Sequence, residues 1–418
     1  MEWKDKIIND VKLTKNASFE LAKLSEKEKN IFLEKLSEKI IQNKKEIIKE
    51  NEKDVKKCIK KNYSNAFIDR LKVDEKRIDK MVKAIKDVIS LPDPVGKKIW
   101  ETVRPNGLKI ERIRVPIGVI GIIYESRPDV TIEASILCIK SGNAVILRGG
   151  KEAKNTNLKL VKIIKDALKE TGISENVVNL ITVGGRRSVK YLLKLYQYID
   201  LIIPRGGESL IKTVVENSYI PVIKHYAGVC HTYVDKDADI EMAWKVVLNA
   251  KVQRPATCNA TETLLVHKDI AEKFLPKMAE IFKKHNVEMR GCEETLKILP
   301  DIKKATEIDW YTEYLDLIIS IKIVNTLEEA IEHINKYGTH HSDAIITENE
   351  ETAEKFLKEV DSAAVYHNAS TRFTDGGEFG LGAEIGISTD KIHARGPMGL
   401  EELTTYKYII YGNGQIRE

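Results

Sequence analysis

The sequence predicts an α/β protein that combines two parallel sheets with a helical N-terminal region and a small antiparallel sheet. The first observation is a helical spacing of apolar residues from the N-terminus to about residue 95. The second is a pair of blocks, starting near residues 117 and 224, in which short apolar runs alternate with helical segments. Such alternation is typical of parallel sheets that are covered on both faces. The third is a strand-like C-terminal segment, a candidate partner for a polar hairpin earlier in the chain.

Length and composition indicate an ordinary globular chain. Its 418 residues suffice for two or three domains, and 42% are hydrophobic and 31% charged. No apolar run approaches the roughly 18–20 residues that span a bilayer, so we expect no transmembrane helix. The polar start Met1–Asp5 predicts no signal peptide. The five cysteines are scattered and form no Cys-x-x-Cys pair, which argues against a disulfide scaffold and predicts a location in the reducing cytoplasm.

The N-terminal region is predicted to be a group of helices with solvated, lysine-rich faces. Ser25 and Glu28 have the spacing of a capping box, and the prolines in Leu91–Pro94 end the helical region. Residues 1–62 contain 17 Lys and 12 acidic residues, a net charge of 17 − 12 = +5, and no Arg. Because these lysines are interleaved with glutamates and not clustered with Arg and aromatic residues, we expect no binding of nucleic acid.

A polar hairpin is predicted over Ile99–Val115. Asn106-Gly107 lies at its centre, and this pair is typical of a two-residue turn in which both residues have positive φ. A hairpin this polar has little core of its own. We therefore expect it to form one sheet with the C-terminal segment Thr404–Tyr411, and that sheet to bridge two subunits.

Short apolar runs predict the strands of the two parallel sheets. Ligands on such sheets bind at the carboxyl ends of the strands, which directs attention to the loops that follow them. The predicted strands are 119–124, 144–147, 177–181 and 201–203 in the first sheet, and 232–234, 262–267, 317–324 and 344–347 in the second, which is followed by a further short apolar run at 363–367. The helices between them are clearest at 157–169, 188–195, 238–249, 270–284 and 327–335.

One cysteine has the surroundings of a nucleophile. Cys258 lies in Gln253-Arg254-Pro255-Ala256-Thr257-Cys258-Asn259-Ala260-Thr261, among small polar residues directly before an apolar strand. Thiolates are strong nucleophiles, and cationic neighbours lower the pKa of a thiol. Local sequence alone leaves a structural role open, since a lone cysteine is more often a packing residue.

Two glycine-rich loops follow strands of the first sheet. They are Arg148-Gly149-Gly150-Lys151 and Arg205-Gly206-Gly207-Glu208. Backbone N–H groups at a helix start suit a pyrophosphate. Neither loop is a dinucleotide fingerprint or a P-loop, but two such loops on consecutive strand–helix units together favour a nucleotide-type ligand.

These features and several longer motifs identify a resemblance over the whole chain. The chain resembles the aldehyde dehydrogenase superfamily, and most specifically its gamma-glutamyl phosphate reductase family. The motifs that carry the resemblance are Val115–Gly121, Tyr124–Asp129, the two loops, Gln253–Ala260, the signature from Val324 to Ile345 with His333, Tyr337, His341 and Asp343, the stretch Gly376–Gly382, and Gly396–Leu400.

The resemblance implies an aldehyde-dehydrogenase-like fold. Such a fold has a Rossmann-type cofactor domain, an α/β catalytic domain with the nucleophilic cysteine, and a small β flap for oligomerisation. The implied division is residues 1–98 and 116–224 for the N-terminal helices and the cofactor-binding domain, 225–366 for the catalytic domain, 99–115 and 387–418 for the hairpin and flap, and 367–386 for a return to the cofactor-binding domain.

The resemblance also implies an activity. It is the NADPH-dependent reduction of L-glutamyl 5-phosphate to L-glutamate 5-semialdehyde and phosphate, through a thioacyl-enzyme, as the second step of proline biosynthesis from glutamate. Cys258 is the implied nucleophile, with Ser126 in place of the asparagine that donates to the oxyanion in relatives, and Asn259 as a further candidate. Residues 225–230 lack the glutamate with which hydrolytic relatives activate water. The candidates for binding the anionic groups of the substrate are Arg127, Arg254 and Arg372.

The cofactor loop predicts NADPH. NAD-preferring relatives carry a carboxylate where Lys151 stands, just after Arg148, and two cations attract a 2′-phosphate that a carboxylate would repel. By the same resemblance, Glu313 holds the nicotinamide ribose. The remaining implied cofactor-binding residues are Gly206, Gly207 and Glu208.

Alternatives and partners complete the expectations. The enzymatic alternative is an acylating dehydrogenase that uses coenzyme A. The other alternative is a non-enzymatic binding protein, against which the intact Cys258 and both intact loops argue. His333, His340 and His341 have no acidic or cysteine partner at ligand spacing, so we expect no metal. The expected partners are the small-molecule substrate, a glutamate 5-kinase as candidate supplier of the acyl phosphate, and a second copy of the chain in a homodimer or larger oligomer.

Overall fold

The structure is a computed structural model that describes residues 2–224 and 226–417. The chain separates into two compact units: the first holds the chain up to Lys224, Gly380–Gly386 and everything from Met398 onward, and the second runs up to Phe379 and includes Ile387–Pro397. Residue 225, where the catalytic domain and the segment without a carboxylate were predicted to begin, lies outside the described residues. The four-part division stays a prediction; residues 387–397, predicted to belong to the flap, group with the second unit.

Five helices open the first unit, where a helical region up to about residue 95 was predicted. The capping box is confirmed: the Glu28 N–H donates to Ser25 Oγ (3.3 Å), and the Ser25 N–H donates to Glu28 Oε2 (2.8 Å). Asp74 caps another helix by accepting the Arg77 N–H at 3.0 Å. The helices are α1 (Glu2–Leu21), α2 (Glu26–Gln42), α3 (Lys44–Ile59), α4 (Asn65–Leu71) and α5 (Glu75–Ser90).

The predicted hairpin forms, but with a different turn. Gly107 has a φ of +86°, whereas Asn106 does not adopt positive φ, so the expectation of two such residues was wrong. The reason is Pro105, whose ring holds φ near −65° and so favours an ordinary turn. The Gly107 N–H donates to the Arg104 carbonyl at 2.9 Å, and glycine supplies the single left-handed residue. The two strands are β1 (Lys98–Val103) and β2 (Lys109–Pro116).

A buried parallel sheet forms the centre of the first unit. Its strands are β3 (Val119–Tyr124), β4 (Ala144–Arg148), β5 (Val178–Leu180) and β6 (Leu201–Arg205), in the order β5-β4-β3-β6. The apolar runs that predicted these strands are buried, as expected for a parallel sheet whose connecting helices cover its faces. The helices are α6 (Asp129–Lys140), α7 (Lys154–Glu170), α8 (Arg187–Leu192) and α9 (Glu208–Asn217).

The second unit is built on a seven-stranded parallel sheet. Its strands are β7 (Cys230–Val234), β8 (Thr261–His267), β9 (Glu288–Gly291), β10 (Lys303–Lys304), β11 (Ile318–Val324), β12 (Ser342–Ile346) and β13 (Ala364–His367), in the order β10-β9-β11-β8-β7-β12-β13. The edge strand β10 and its neighbour β9 were not predicted, because they are short and polar. The helices are α10 (Ile240–Val252), α11 (Lys268–Lys284), α12 (Glu293–Ile298), α13 (Glu307–Trp310), α14 (Leu327–Tyr337) and α15 (Glu350–Glu359).

Two small antiparallel pairings complete the fold. The second unit contains β14 (Ile387–Ser388) and β15 (Gly396–Pro397), which pair with each other. The last strand, β16 (Thr404–Tyr411), pairs with β2 over its whole length, from Thr404 opposite Pro116 to Tyr411 opposite Lys109. The predicted three-stranded sheet is therefore confirmed. Among the described helices, none has the length and apolar character needed to span a bilayer.

Candidate active site

Cys258 lies in a short irregular segment between α10 and β8 and is half-buried. The segment is tightly packed. The Cys230 thiol, at the start of β7, donates to the Cys258 carbonyl with 3.1 Å between Sγ and the oxygen. A Cβ on Gly228 would overlap that same carbonyl, so only glycine fits there. The backbone that carries the predicted nucleophile is thus held in one position.

The side chain of Asn259 anchors this segment to residues 371–374. Asn259 is buried, and its Nδ2 donates to the carbonyl of Thr374 at 2.9 Å. Thr371 Oγ1 donates to the Asn259 carbonyl at 2.6 Å, and Thr257 Oγ1 donates to Asn259 Oδ1 at 3.0 Å. These contacts explain how Asn259 positions Cys258, whereas its direct catalytic role stays a prediction.

Two of the three candidate anion-binding arginines lie near Cys258. Arg372 Nε donates to Gln253 Oε1 at 2.9 Å. Burial and the neighbouring Arg254 guanidinium lower the pKa of Arg372, while Cys258 acts in the opposite direction. Arg254 is exposed. The second unit therefore presents two neighbouring cations, of which Arg372 lies within electrostatic range of Cys258, and this arrangement suits an anionic reactant.

Glu313 also lies in the second unit, close to the Cys258 segment. Its Oε1 accepts the Gly228 N–H at 2.8 Å, so it contacts the glycine that packs on Cys258. Two residues on, Leu315 has a φ of +54° and donates its N–H to Glu262 Oε1 at 3.3 Å. Glu262 is paired with Lys251, both fully buried, at 2.5 Å. This buried ion pair holds the turn that presents Glu313.

The other cysteines have the environment of packing residues. Burial raises the pKa of the Cys138 thiol, and raises that of Cys230 well above its usual value. Burial, Glu152 and Asp54 raise the pKa of Cys58. A raised thiol pKa means little thiolate near neutral pH, so these three are poor nucleophiles.

In the first unit, Ser126 and Arg127 follow β3. Ser126 is 7% exposed and has a φ of +37°, a left-handed conformation that side chains rarely adopt. Such strain is commonly stored at functional sites. The Arg127 side chain is exposed. The structure shows both residues at the carboxyl edge of the parallel sheet, and their roles toward a substrate stay predictions.

The Gly206-Gly207 loop already holds an anion. The Gly207 N–H donates to Glu125 Oε2 at 3.0 Å, and a Cβ on Gly206 would lie 2.6 Å from the same oxygen. Glu208 is exposed and begins α9. A glycine loop that binds a carboxylate at a helix start has the donor geometry that a phosphate needs.

The two cations of the other loop differ in their surroundings. Arg148 Nε donates to Ser188 Oγ and its Nη2 to the Gly185 carbonyl, both at 2.9 Å, and its Nη1 contacts the Gly149 carbonyl. Lys151 is exposed. Arg148 therefore uses its hydrogen bonds to hold residues 185–188 in place. Because Lys151 is exposed, it is the cation that a ligand can reach more easily.

Several residues of these arrangements were not predicted from the sequence. Near Cys258 they are Gly228 and Cys230. Both lie in the segment 225–230, which the sequence analysis considered only because it lacks the glutamate of hydrolytic relatives. In the first unit it is Glu125, whose partner Gly207 is distant in sequence. Among the residues that the structure describes, no group of three or more His, Cys, Asp or Glu is placed to hold a metal ion.

Comparison with known proteins decides the family. The sequence matches the aldehyde dehydrogenase family over residues 4–317 and 298–409. It is 57% identical, over 420 residues and 100% of both chains, to a gamma-glutamyl phosphate reductase of Thermodesulfovibrio yellowstonii. The chain belongs to the aldehyde dehydrogenase family, and within it to the gamma-glutamyl phosphate reductases. The crystal structure of the Thermotoga maritima gamma-glutamyl phosphate reductase is 52% identical, with a TM-score of 0.97 and coverage of 98% of this chain and 99% of that one.

Membership of the aldehyde dehydrogenase family confirms the predicted fold class and fits use of a nicotinamide cofactor. A more distant relative shows the fold alone: a glyceraldehyde-3-phosphate dehydrogenase of Methanocaldococcus jannaschii, solved as a complex with NADP, is 18% identical with a TM-score of 0.68 and coverage of 98% and 95%.

Proposed function

We propose that this chain reduces L-glutamyl 5-phosphate to L-glutamate 5-semialdehyde and phosphate with NADPH, through a thioacyl intermediate on Cys258. The activity is the second step of proline biosynthesis from glutamate. The observation that carries the proposal is the held Cys258 segment in a chain that matches gamma-glutamyl phosphate reductases over its full length.

The Cys258 thiolate is proposed to attack the C5 carbonyl carbon of the acyl phosphate. A carbon–sulfur bond forms, the carbon–oxygen bond to phosphate breaks, and phosphate leaves with the electron pair. The Cys258 backbone N–H and the Ser126 hydroxyl are the proposed donors to the oxyanion of the tetrahedral intermediate. Arg254 and Arg372 neutralise the charge of the reactant and of the departing phosphate, with Arg127 as the third candidate.

A bound nicotinamide cofactor supplies the hydride that reduces the thioacyl carbon. The chain's own part is to bind and orient it. The Gly206-Gly207 loop and Glu208 are proposed to receive the pyrophosphate, a role that the Glu125 carboxylate on the Gly207 N–H supports. Lys151, together with Arg148 of the same loop, is proposed to select the 2′-phosphate of NADPH. Glu313 is proposed to hold the nicotinamide ribose. Once the thioacyl carbon is reduced, its bond to sulfur would break, so that sulfur stays on Cys258 as the thiolate and the aldehyde is released.

Assembly and partners are part of the proposal. The sheet of β1, β2 and β16 carries exposed aromatic residues, including Tyr406 and Tyr408, which suit a homodimer or larger oligomer. A glutamate 5-kinase is the proposed supplier of the unstable acyl phosphate, and the predicted cytoplasmic location would keep Cys258 reduced.

The reverse reaction tests the proposal. Pyrroline-5-carboxylate, which equilibrates with the semialdehyde, is incubated with the enzyme and NADP, and NADPH formation is followed by absorbance. We expect turnover that depends on added phosphate. Turnover that requires coenzyme A in place of phosphate would establish the alternative acylating dehydrogenase, and absence of turnover with either would overturn the proposal.

A further inference from the structure

The end of the family signature, around His341 and Ser342, packs against the cysteine that holds Cys258 in place. Both residues are fully buried. His341 Nδ1 lies 3.9 Å from Cys230 Sγ and 2.9 Å from Ser342 Oγ. This stretch carries part of the resemblance to the family, yet the proposed mechanism gives it no role. Polar groups that are buried so close to the proposed nucleophile therefore need an explanation.

The Cys230 thiol lies near two acceptors. Its Sγ is 3.1 Å from the Cys258 carbonyl oxygen and 3.9 Å from His341 Nδ1. Burial raises the pKa of Cys230 well above its usual value, which keeps the proton on sulfur. A thiol has one proton to donate, and an imidazole nitrogen without a proton is itself an acceptor. The Cys258 carbonyl is therefore certain of its hydrogen bond only if another donor already occupies His341 Nδ1.

A chain of hydroxyl groups leads to His341 Nδ1 from the other side. Tyr366 OH lies 2.7 Å from Thr374 Oγ1, which lies 2.6 Å from Ser342 Oγ. Each hydroxyl has one proton to donate, so the ends of the chain set its direction. Among the described residues, Thr374 Oγ1 is the one hydrogen-bond partner of the Tyr366 hydroxyl. Burial raises the pKa of Tyr366 to about 12, so this hydroxyl stays protonated and can donate to Thr374.

Resting on the proposed function, we infer that this chain positions the nucleophile. Thr374 donates to Ser342, and Ser342 donates to His341 Nδ1, so that the proton of the neutral imidazole lies on Nε2. Because Nδ1 is then occupied, the Cys230 thiol is directed to the Cys258 carbonyl. Ser342 and His341 are thus positioning residues, whose effect reaches Cys258 through the direction of one thiol proton.

The same chain also contacts the other side of the nucleophile segment. The carbonyl of Thr374 accepts Asn259 Nδ2 at 2.9 Å. A change at Ser342 could therefore reach Cys258 by either of two routes, one through His341 and Cys230 and the other through Thr374. The experiment has to separate these routes.

A double-mutant cycle separates them. Ser342→Ala removes the donor to His341, Cys230→Ala removes the thiol, and kcat of the phosphate-dependent reaction with NADP is measured for wild type, both single variants and the double variant. We expect Ser342→Ala to lower kcat by roughly fivefold with little change in the KM for NADP, because one hydrogen bond to the Cys258 segment is lost. In the Cys230→Ala background, the same change should alter kcat by less than about twofold.

Two further variants serve as rescue and control. Ser342→Thr keeps the hydroxyl and should retain most of the activity. Thr263→Val removes a buried hydroxyl of the same sheet that has no hydrogen-bond partner among the described residues, and it should leave kcat within about twofold of wild type. A Ser342→Ala loss that is equally large in the Cys230→Ala background, or that Ser342→Thr shares, would overturn the inference.

The tautomer of His341 is tested in the wild-type protein. Nitrogen-15 NMR of labelled histidine distinguishes a ring nitrogen that carries a proton from one that does not, and the His341 signals are those lost in His341→Gln or His341→Asn. We expect an unprotonated Nδ1 and a proton on Nε2. A proton on Nδ1 would overturn the inference even if Ser342→Ala did not fold.

The inference and the proposed function fail in different ways. If wild type is active and folded Ser342→Ala is equally active, the proposed function stands and the inference is overturned. If wild type shows no phosphate-dependent turnover, the proposed function fails and the positioning role fails with it. Thermal unfolding reports whether each variant is folded.

Discussion

The thiol of Cys230 donates a hydrogen bond to the backbone carbonyl of Cys258, with 3.1 Å between Sγ and the oxygen. Cys230 is buried at the start of β7, and its raised pKa keeps it protonated and able to donate. The carbonyl that it holds belongs to the proposed nucleophile. One cysteine of this pair is therefore a positioning residue for the other.

Removing that donor should slow the chemical step. Cys230→Ala loses one hydrogen bond worth about 1 kcal/mol, so we expect kcat to fall by roughly fivefold with little change in the KM for NADPH. Cys230→Ser keeps a donor at the same place and should retain most of the activity. Equal activity of the alanine variant and wild type would show that the contact does not position Cys258.

Cys258 itself should be indispensable. Cys258→Ala and Cys258→Ser remove the soft nucleophile, and we expect turnover to be abolished while cofactor affinity, measured by fluorescence titration, stays near that of wild type. Serine substitutions at Cys58, Cys138 and Cys292 should cause far smaller kinetic losses. Substantial turnover by Cys258→Ala is the result that rules out a covalent mechanism.

The cofactor loop should distinguish NADPH from NADH. One charge-assisted bond from Lys151 to a 2′-phosphate is worth roughly 1.5–3 kcal/mol, so we expect at least about a tenfold preference for NADPH in kcat/KM. Lys151→Glu repels the phosphate and accepts from a ribose hydroxyl, which shifts the preference toward NADH. Lys154→Glu, a nearby lysine on α7, is the control. A wild type that prefers NADH, or an unchanged ratio in Lys151→Glu, contradicts the assignment.

The three-stranded sheet should bridge two subunits. Tyr408 and Ile410 on β16 are 53% and 60% exposed, and an exposed strand of this kind is an association surface. Light scattering at micromolar concentration should give at least a dimer, and Tyr408→Asp with Ile410→Asp should shift it toward monomer. A wild-type monomer under these conditions would refute the proposal.

Glu133 should make stability depend on pH. Burial and Asp129 raise its pKa from 4.5 to about 7 in the folded chain. A raised folded-state pKa contributes stability that is fully present below the unfolded pKa and is lost as pH rises through about 7. Glutamine cannot ionise, so the Tm of Glu133→Gln relative to wild type should rise by roughly a few degrees between about pH 5 and pH 8. The exposed Glu34→Gln on α2 should show no such trend; a flat difference for Glu133→Gln would contradict the assigned environment.

Local sequence was sufficient wherever a feature depends on neighbouring residues. The strand β16 was predicted with its observed bounds, and the Ser25–Glu28 capping box was predicted from four residues, because periodicity and caps act over one or two turns. The turn at Asn106-Gly107 was predicted wrongly for the same reason: the pair was considered without the constraint that Pro105 places on φ.

The sequence by itself determined that this chain forms parallel sheets from alternating strands and helices, and it predicted that Cys258 and two glycine loops carry the chemistry. Only the tertiary structure decided which groups meet. Glu125 reaches the Gly207 N–H across 82 positions, and Cys230 reaches Cys258 across 28. Such contacts follow from strand order and register, which depend on burying both faces of a sheet and which no local pattern specifies.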